Sequence, residues 1–197
     1  MKPPKAKKIP HIFNEFGNER VDNYYWLRER ENPEVIAYLE AENAYYKAET
    51  AHTQALQDTL FAEMKARIKE DDSSVPYYYN RYWYRTRYEV GKDYPIYLRQ
   101  RETLEAPEEV LFDCNAMAKG KAYFQLDSFA VSDDNQWAVY GVDTVSRRQY
   151  TLQIKNLNTG EVLPYQIKNT NGQAVWAADN RTIFYAKNHT KNLRTYK

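Results

Sequence analysis

A chain of 197 residues with 43% hydrophobic content can bury a core in one or two domains, which excludes an intrinsically disordered polypeptide. The 28 basic and 27 acidic residues nearly cancel, so no overall field draws the molecule to nucleic acid or to an anionic membrane. A single cysteine, Cys114, excludes an internal disulfide framework, and its expected place is a buried or half-buried strand end.

Cutting at Ser73 leaves 11 basic and 14 acidic residues before the cut and 17 and 13 after it, so neither half implies a charged partner. Lys2, Lys5, Lys7 and Lys8 read as a solvated arm. No signal-peptide core follows them, and no apolar run is long enough to span a bilayer. The expectation is a soluble protein of the cytoplasm or periplasm, with no membrane or nucleic-acid partner.

Along the chain, 9–17 reads as an extended leader. The segment Arg20 to Arg28 then sets Tyr24, Tyr25 and Trp26 beside charged groups, a composition suited to lying along a neighbouring surface. Asn32-Pro33 is a helix start, with Asn32 as cap and Pro33 pre-set for the first helical position. Val35, Ile36, Leu39, Ala41, Tyr45 and Tyr46 carry the helix to about Glu49. A second helix begins near Thr53 with an apolar stripe of Leu56, Leu60, Phe61, Met64 and Ile68, read as core packing, and Glu63 set to pair with Arg67. Two such helices without a third need a partner surface, from the β region or from protein beyond this sequence.

At Lys69 to Pro76 the hydrophobic period changes from helical to extended. Tyr77 to Tyr88 is rich in strand formers, with Asn80-Arg81 as a turn. Gly91-Lys92-Asp93 is another turn, and 94–100 and 109–113 read as further strands. Ala130 to Tyr140 resembles Val175 to Tyr185 at an offset of 45, each a strand, an Asp-Asn turn and a strand. Gln149 to Leu157 reads as a strand, and Asn158-Thr159-Gly160-Glu161 as a hairpin turn into a strand at 162–167. Four strands per repeat of about 45 residues is the spacing of β-propeller blades. One blade is expected at 76–127, a second at 128–172, and a third beginning at Gln173.

The glycines stand at 17, 91, 120, 141, 160 and 172, no two of them four apart. There is therefore no Gly-x-Ser-x-Gly nucleophile elbow, no phosphate-binding loop and no dinucleotide fingerprint. His11, His52 and His189 are scattered, with no helical His pair and no Cys-x-x-Cys, so no metal or cofactor site is expected. Asp71-Asp72 reads as an exposed helix end and domain hinge, because adjacent carboxylates do not face one substrate. The tyrosine run reads as strand rather than as a stacking platform for sugars or bases. Asn180 and Asn188 each open an Asn-x-Thr triplet, a pattern short enough to arise by chance.

Arg20-x-Asp22-x-Tyr24-x-Trp26-Leu27-Arg28 and Asn32-Pro33-Glu34-Val35-Ile36-Ala37-Tyr38-Leu39-Glu40-Ala41-Glu42-Asn43 resemble the amino-terminal segment of the prolyl oligopeptidase family of serine peptidases. Glu63-Met64-x-x-Arg67-Ile68-Lys69-Glu70-x-Asp72-x-Ser74-Val75-Pro76 and Tyr94-Pro95-Ile96-Tyr97 are similar to the oligopeptidase B branch. Phe16 before Gly17 departs from the branch, where His is common. The resemblance implies a seven-bladed propeller inserted between a helical extension and an α/β-hydrolase domain. Residues 1–73 would be the extension that packs on the hydrolase domain, and 74–197 the first two blades and the start of the third, so the piece itself is α+β. It also implies hydrolysis of short peptides after Lys or Arg by a Ser-His-Asp triad and an oxyanion hole. The propeller would restrict access to small substrates. All triad residues would lie beyond Lys197, so no catalytic residue is expected in this segment. Two other readings stay open: a free-standing module that binds peptide or protein on an open β array, and one half of a split enzyme completed by a second polypeptide.

Overall fold

The computed structural model describes residues 2–189 and 194–196, which form two compact units, 1–68 and 69–197. The first unit opens with a hairpin, β1 (His11–Glu15) and β2 (Asn18–Asp22), turning at Phe16-Gly17 with φ of 54° and 78°. Both values are positive, as a two-residue hairpin turn requires. This hairpin replaces the extended leader. One face gathers His11 stacked on Tyr25 at 4.0 Å and Arg20 over the Phe13 ring at 4.3 Å. A 3₁₀ turn at Tyr25–Arg28 buries Trp26, whose indole N–H donates to the Lys7 carbonyl at 3.0 Å. The Lys7 ammonium meets Glu34 at 2.7 Å, so the basic arm is anchored at that point rather than wholly solvated.

Helix α1 (Pro33–Thr50) starts as the sequence dictates, the Asn32 side chain accepting from the Glu34 N–H at 2.9 Å. Helix α2 (Gln54–Ala66) follows a single 3₁₀ turn. Its apolar stripe is exposed, with Leu56 60% and Phe61 67% accessible, so among the described residues the partner surface expected for it is not supplied. Inside this unit no further layer exists to cover two helices, and Val35 is the one buried residue of the pair. Glu63 and Arg67 do approach, at 3.8 Å and solvent-exposed, a pairing of little energetic weight.

In the second unit, β3 (Asp72–Ser73) and β4 (Tyr77–Tyr79) lie in line along one edge of β5 (Tyr82–Tyr88), interrupted at Pro76, which has no N–H to give the ladder. Asp72 is thus a strand residue paired opposite Tyr88, not the end of a helix, because α2 has already ended at Ala66. The antiparallel sheet continues through β6 (Ile96–Arg101) and β7 (Glu108–Asp113). A short helix α3 (Cys114–Ala118) follows, capped by the Asp113 carboxylate, which accepts from the N–H groups of Asn115 and Ala116. Cys114 is buried where β7 ends, as expected, and burial, with the Asp113 charge, pushes its thiol up to about 12. A thiol so placed is not a nucleophile near neutral pH. Cys114 is expected to resist aromatic disulfide reagents at pH 8 in the native protein and to react at once in denaturant. Rapid native labelling that Cys114→Ser abolishes would contradict this packing.

The next sheet runs β8 (Gln125–Val131), β9 (Trp137–Asp143), β10 (Tyr150–Asn156), β11 (Ile167–Trp176) and β12 (Ile183–Lys187), in sequence order. The strand expected at 162–167 is not formed. Val162 makes an isolated bridge to Lys155, Pro164 can offer no N–H, and Ile167 opens β11 instead. Strand β11 changes register between Thr170 and Ala174: its first part pairs with β10, its last with β12. Side chains alternate along β9, so its two faces enter different cores. Ala138 and Tyr140 join Tyr82, Tyr84, Leu111, Phe112 and Phe124, whereas Val139 joins Leu152 and Ile154 with Trp137, Trp176 and Ile183 around them.

The 45-residue repeat is visible atom by atom. Ser132 N–H donates to the Trp137 carbonyl at 2.9 Å and Ala177 N–H to Thr182 at 2.8 Å. Asn135 and Asn180 both take left-handed φ, 62° and 57°. These turns are stitched in series: the Asn80 amide donates to the Asp133 carbonyl, the Asn135 amide to the Asn80 carbonyl, and the Asp134 N–H to the Asn180 side chain.

Candidate functional site

At the end of β8 opposite these turns lies an open polar groove of about 990 Å³, walled by Tyr123, Gln125, Asp127, Arg147, Arg148 and Tyr150, with Asn171 and Gln173 of β11 on its far side. Strand polarity explains the placement. Each of β8 and the later part of β11 begins at this end, and the β9–β10 loop, 144–149, closes over it.

That loop is held from below. Asp143, only 1% accessible, ends β9 and accepts the N–H groups of Val145 at 2.8 Å, Arg147 at 3.0 Å and Arg148 at 2.7 Å. Three donors satisfy the buried carboxylate, which has no cationic partner among the described residues. They also hold Ser146 and Arg148 at φ of 62° and 55°, a left-handed conformation that costs a side-chain-bearing residue on the order of 1–2 kcal/mol. The sequence reading had singled out none of these residues. Their signal was faint, an aspartate at a strand end followed by Thr144 and Ser146.

Tyr150 forms the floor and is buried, and its phenol is pushed up to about 12 by that burial, with the Asp127 and Asp143 charges adding to it. Tyr140, beneath the sheet, is pushed up to about 12 by burial and donates to Gln153 at 2.7 Å. The folded pKa values stand above the ordinary value of about 10. Above pH ~10 the unfolded chain therefore binds fewer protons than the native one, and stability falls as pH rises from ~10 to ~12. The denaturation midpoint is expected to drop across that window, and Tyr140→Phe and Tyr150→Phe to flatten the drop. A midpoint unchanged to pH 12 would contradict the burial of both phenols.

The other residues raised by the sequence fall apart in space. His11 is in the hairpin, His52 in the turn between the helices, and His189 follows β12. Among the described residues no three His, Cys, Asp or Glu side chains gather as a metal-binding group, and no helix is long and apolar enough to cross a membrane. In the tyrosine run, Tyr82 and Tyr84 are buried core residues, while Tyr77, Tyr78 and Tyr79 remain exposed. Asn188 is buried at the edge of the groove, its amide donating to the Thr170 carbonyl and its oxygen accepting from Thr195.

A family model described as the prolyl oligopeptidase N-terminal beta-propeller domain matches residues 3–197. The chain belongs to the prolyl oligopeptidase family. Its repeated sheets are accordingly the first part of a β-propeller, preceded by the helical segment. Among this family, the dipeptidyl aminopeptidase BI of Pseudoxanthomonas mexicana is 43% identical over a 209-residue alignment that covers 97% of this chain and 29% of that protein. Protease 2 of Moraxella lacunata is 34% identical, with 94% of this chain and 28% of the relative covered. Oligopeptidase B from Leishmania major superposes with a TM-score of 0.88 at 31% identity, covering 98% of this chain and 30% of that one. The chain thus spans less than a third of the length of these relatives.

Proposed function

We propose that this chain is the amino-terminal part of a serine oligopeptidase that hydrolyses short peptides after Lys or Arg, with its catalytic triad outside residues 1–197. The observation that carries the reading is the unbroken match of residues 3–197 to one end of the family's architecture. The exposed stripe of α2 supports it: an amphipathic helix needs an apolar partner, and the hydrolase domain of a longer polypeptide would supply one. Residues 1–73 are then the extension that packs on that domain. Residues 74–197 supply two blades and the start of a third, and the completed propeller admits only small peptides. The compartment is the cytoplasm or periplasm, and no cofactor is required.

The 43% identical relative is named a dipeptidyl aminopeptidase, which favours a second reading, removal of dipeptides from a free amino terminus. One assay separates the two. The native polypeptide carrying this sequence is incubated with Arg-containing peptides whose amino termini are free or acetylated. Cleavage after Arg in both, stopped by antipain, is the expected result; antipain is covalently bound in the closed Trypanosoma brucei oligopeptidase B structure, 27% identical with a TM-score of 0.83 over 95% of this chain and 29% of that one. Cleavage confined to free amino termini would favour dipeptide removal, and no hydrolysis of either would overturn the peptidase reading.

A further inference from the structure

The sheet of β5, β6 and β7 has two faces of opposite chemistry. Side chains alternate along a strand, so Tyr82 and Tyr84 enter the core shared with the next sheet, beside Phe112, Phe124 and Tyr140. Arg85 and Arg87 therefore stand on the reverse face. The register sets Leu98 opposite Arg85 and Ile96 opposite Arg87, and both apolar residues are buried there, at 1% and 6% accessible. Over them the two guanidiniums reach across the middle strand to one carboxylate. Arg85 pairs with Glu108 of β7, and Arg87 donates to the same carboxylate at 2.7 Å, while Glu89 stands 3.5 Å from Arg87. These three side chains of Arg85, Arg87 and Glu108 keep about a third of their surface open, at 29%, 32% and 31%.

A propeller arranges its blades in a ring, and β4 to β7 supply the four strands of the first blade from one stretch of chain, 77–113. One face of that blade meets the second blade, through aromatic and aliphatic side chains. Closure of the ring brings the reverse face against the last blade. An apolar covering would strip the remaining water from two guanidiniums and a carboxylate, a cost that only opposing charge and hydrogen bonds offset. Two cations share one close acceptor, so the chemistry this face lacks is a further acceptor, and a carboxylate matches a guanidinium fork best. We infer that the Arg85–Arg87 face binds a carboxylate of the last blade of the same polypeptide, so that the ring closes through ion pairs. The inference goes beyond peptide hydrolysis and does not depend on which bond the polypeptide cuts. It makes this seam sensitive to salt, whereas the seam between the first two blades is apolar.

The test uses the full native polypeptide carrying R87K and, separately, R85K. Each keeps the positive charge and supplies an amine that a carbodiimide joins to a carboxylate in direct contact. Linked peptides are mapped by mass spectrometry, and circular dichroism identifies which variant is folded and can be read. The expected result is a linkage within one polypeptide, from position 87 or 85 to an acidic residue of the last propeller repeat. Its yield should fall about twofold or more between 0.1 M and 1 M NaCl, over which the screening length shrinks from about 10 Å to about 3 Å. Linkage confined to Glu89 and Glu108, or no linkage at all, overturns the inference. So does linkage between two copies, seen as a doubled mass, or to a residue outside the propeller, because either names a different occupant. A yield unchanged by salt overturns it as well. Hydrolysis of Arg peptides is scored separately: activity without the linkage removes only this inference, and the linkage without activity removes only the peptidase reading.

Discussion

Gly141→Ala is expected to destabilise the protein by about 3 kcal/mol or more, at the upper end of what overpacking costs. A Cβ added at Gly141 would lie 2.6 Å from the Gly172 Cα and 2.8 Å from its carbonyl carbon. Those are backbone atoms, so no side-chain rotation relieves the clash. The approach is close because β11, after its register change, crosses the β8–β9 face. There the Ser128 hydroxyl donates to the Gly172 carbonyl at 3.0 Å and the Trp176 indole to the Ala130 carbonyl at 2.9 Å. Gly120→Ala is the control. Gly120 has φ of 76° and open space around its Cβ position, so only conformational strain of about 1–2 kcal/mol applies. Denaturant midpoints at unchanged m-value measure both. A Gly141→Ala loss below about 0.5 kcal/mol would mean that β11 does not pass over Gly141 as described.

The second large effect belongs to Asp143. In Asp143→Ala, three N–H groups that now bond to one carboxylate lose their acceptor. Each buried unsatisfied group costs about 1–3 kcal/mol, less where water can enter from the groove, so a total of about 2–4 kcal/mol is expected. Asp143→Asn should lose less, since it keeps one acceptor oxygen where there are now two. Amide hydrogen exchange at Arg147 and Arg148 is the sharper readout: protection in the parent should vanish in Asp143→Ala. Retained protection would show that the loop is held by something other than this side chain.

What the sequence made legible is local chemistry. Asn32-Pro33 marked the start of α1 because capping and a preset φ act within three residues. Asn80-Arg81 marked the hairpin between β4 and β5 because only a two-residue turn with positive φ joins strands in that register. The repeat at offset 45 was legible because each copy keeps its own Asp-Asn turn chemistry. Four features were hidden. Strand β11 straddles two pairings, and nothing in Ile167 to Trp176 announces where it leaves β10. The Gly141–Gly172 approach joins residues 31 positions apart that look like any two glycines. The stripe on α2 announced that it needs a partner but not which one, since an apolar face carries no address. The groove was illegible for a similar reason: Arg147 and Arg148 reach its wall only once Asp143 holds the loop at the ends of β8 and β11.

The central claim is that this segment shapes access to a peptidase whose chemistry resides elsewhere in the polypeptide. Labelling the native polypeptide with a fluorophosphonate, then mapping the modified serine by peptide mass, tests it most directly. The expected result is one equivalent of label on a serine within a Gly-x-Ser-x-Gly peptide outside residues 1–197, with every serine of this segment unmodified. Label on a serine inside 1–197, or an active polypeptide whose hydrolysis survives the reagent, would contradict the account.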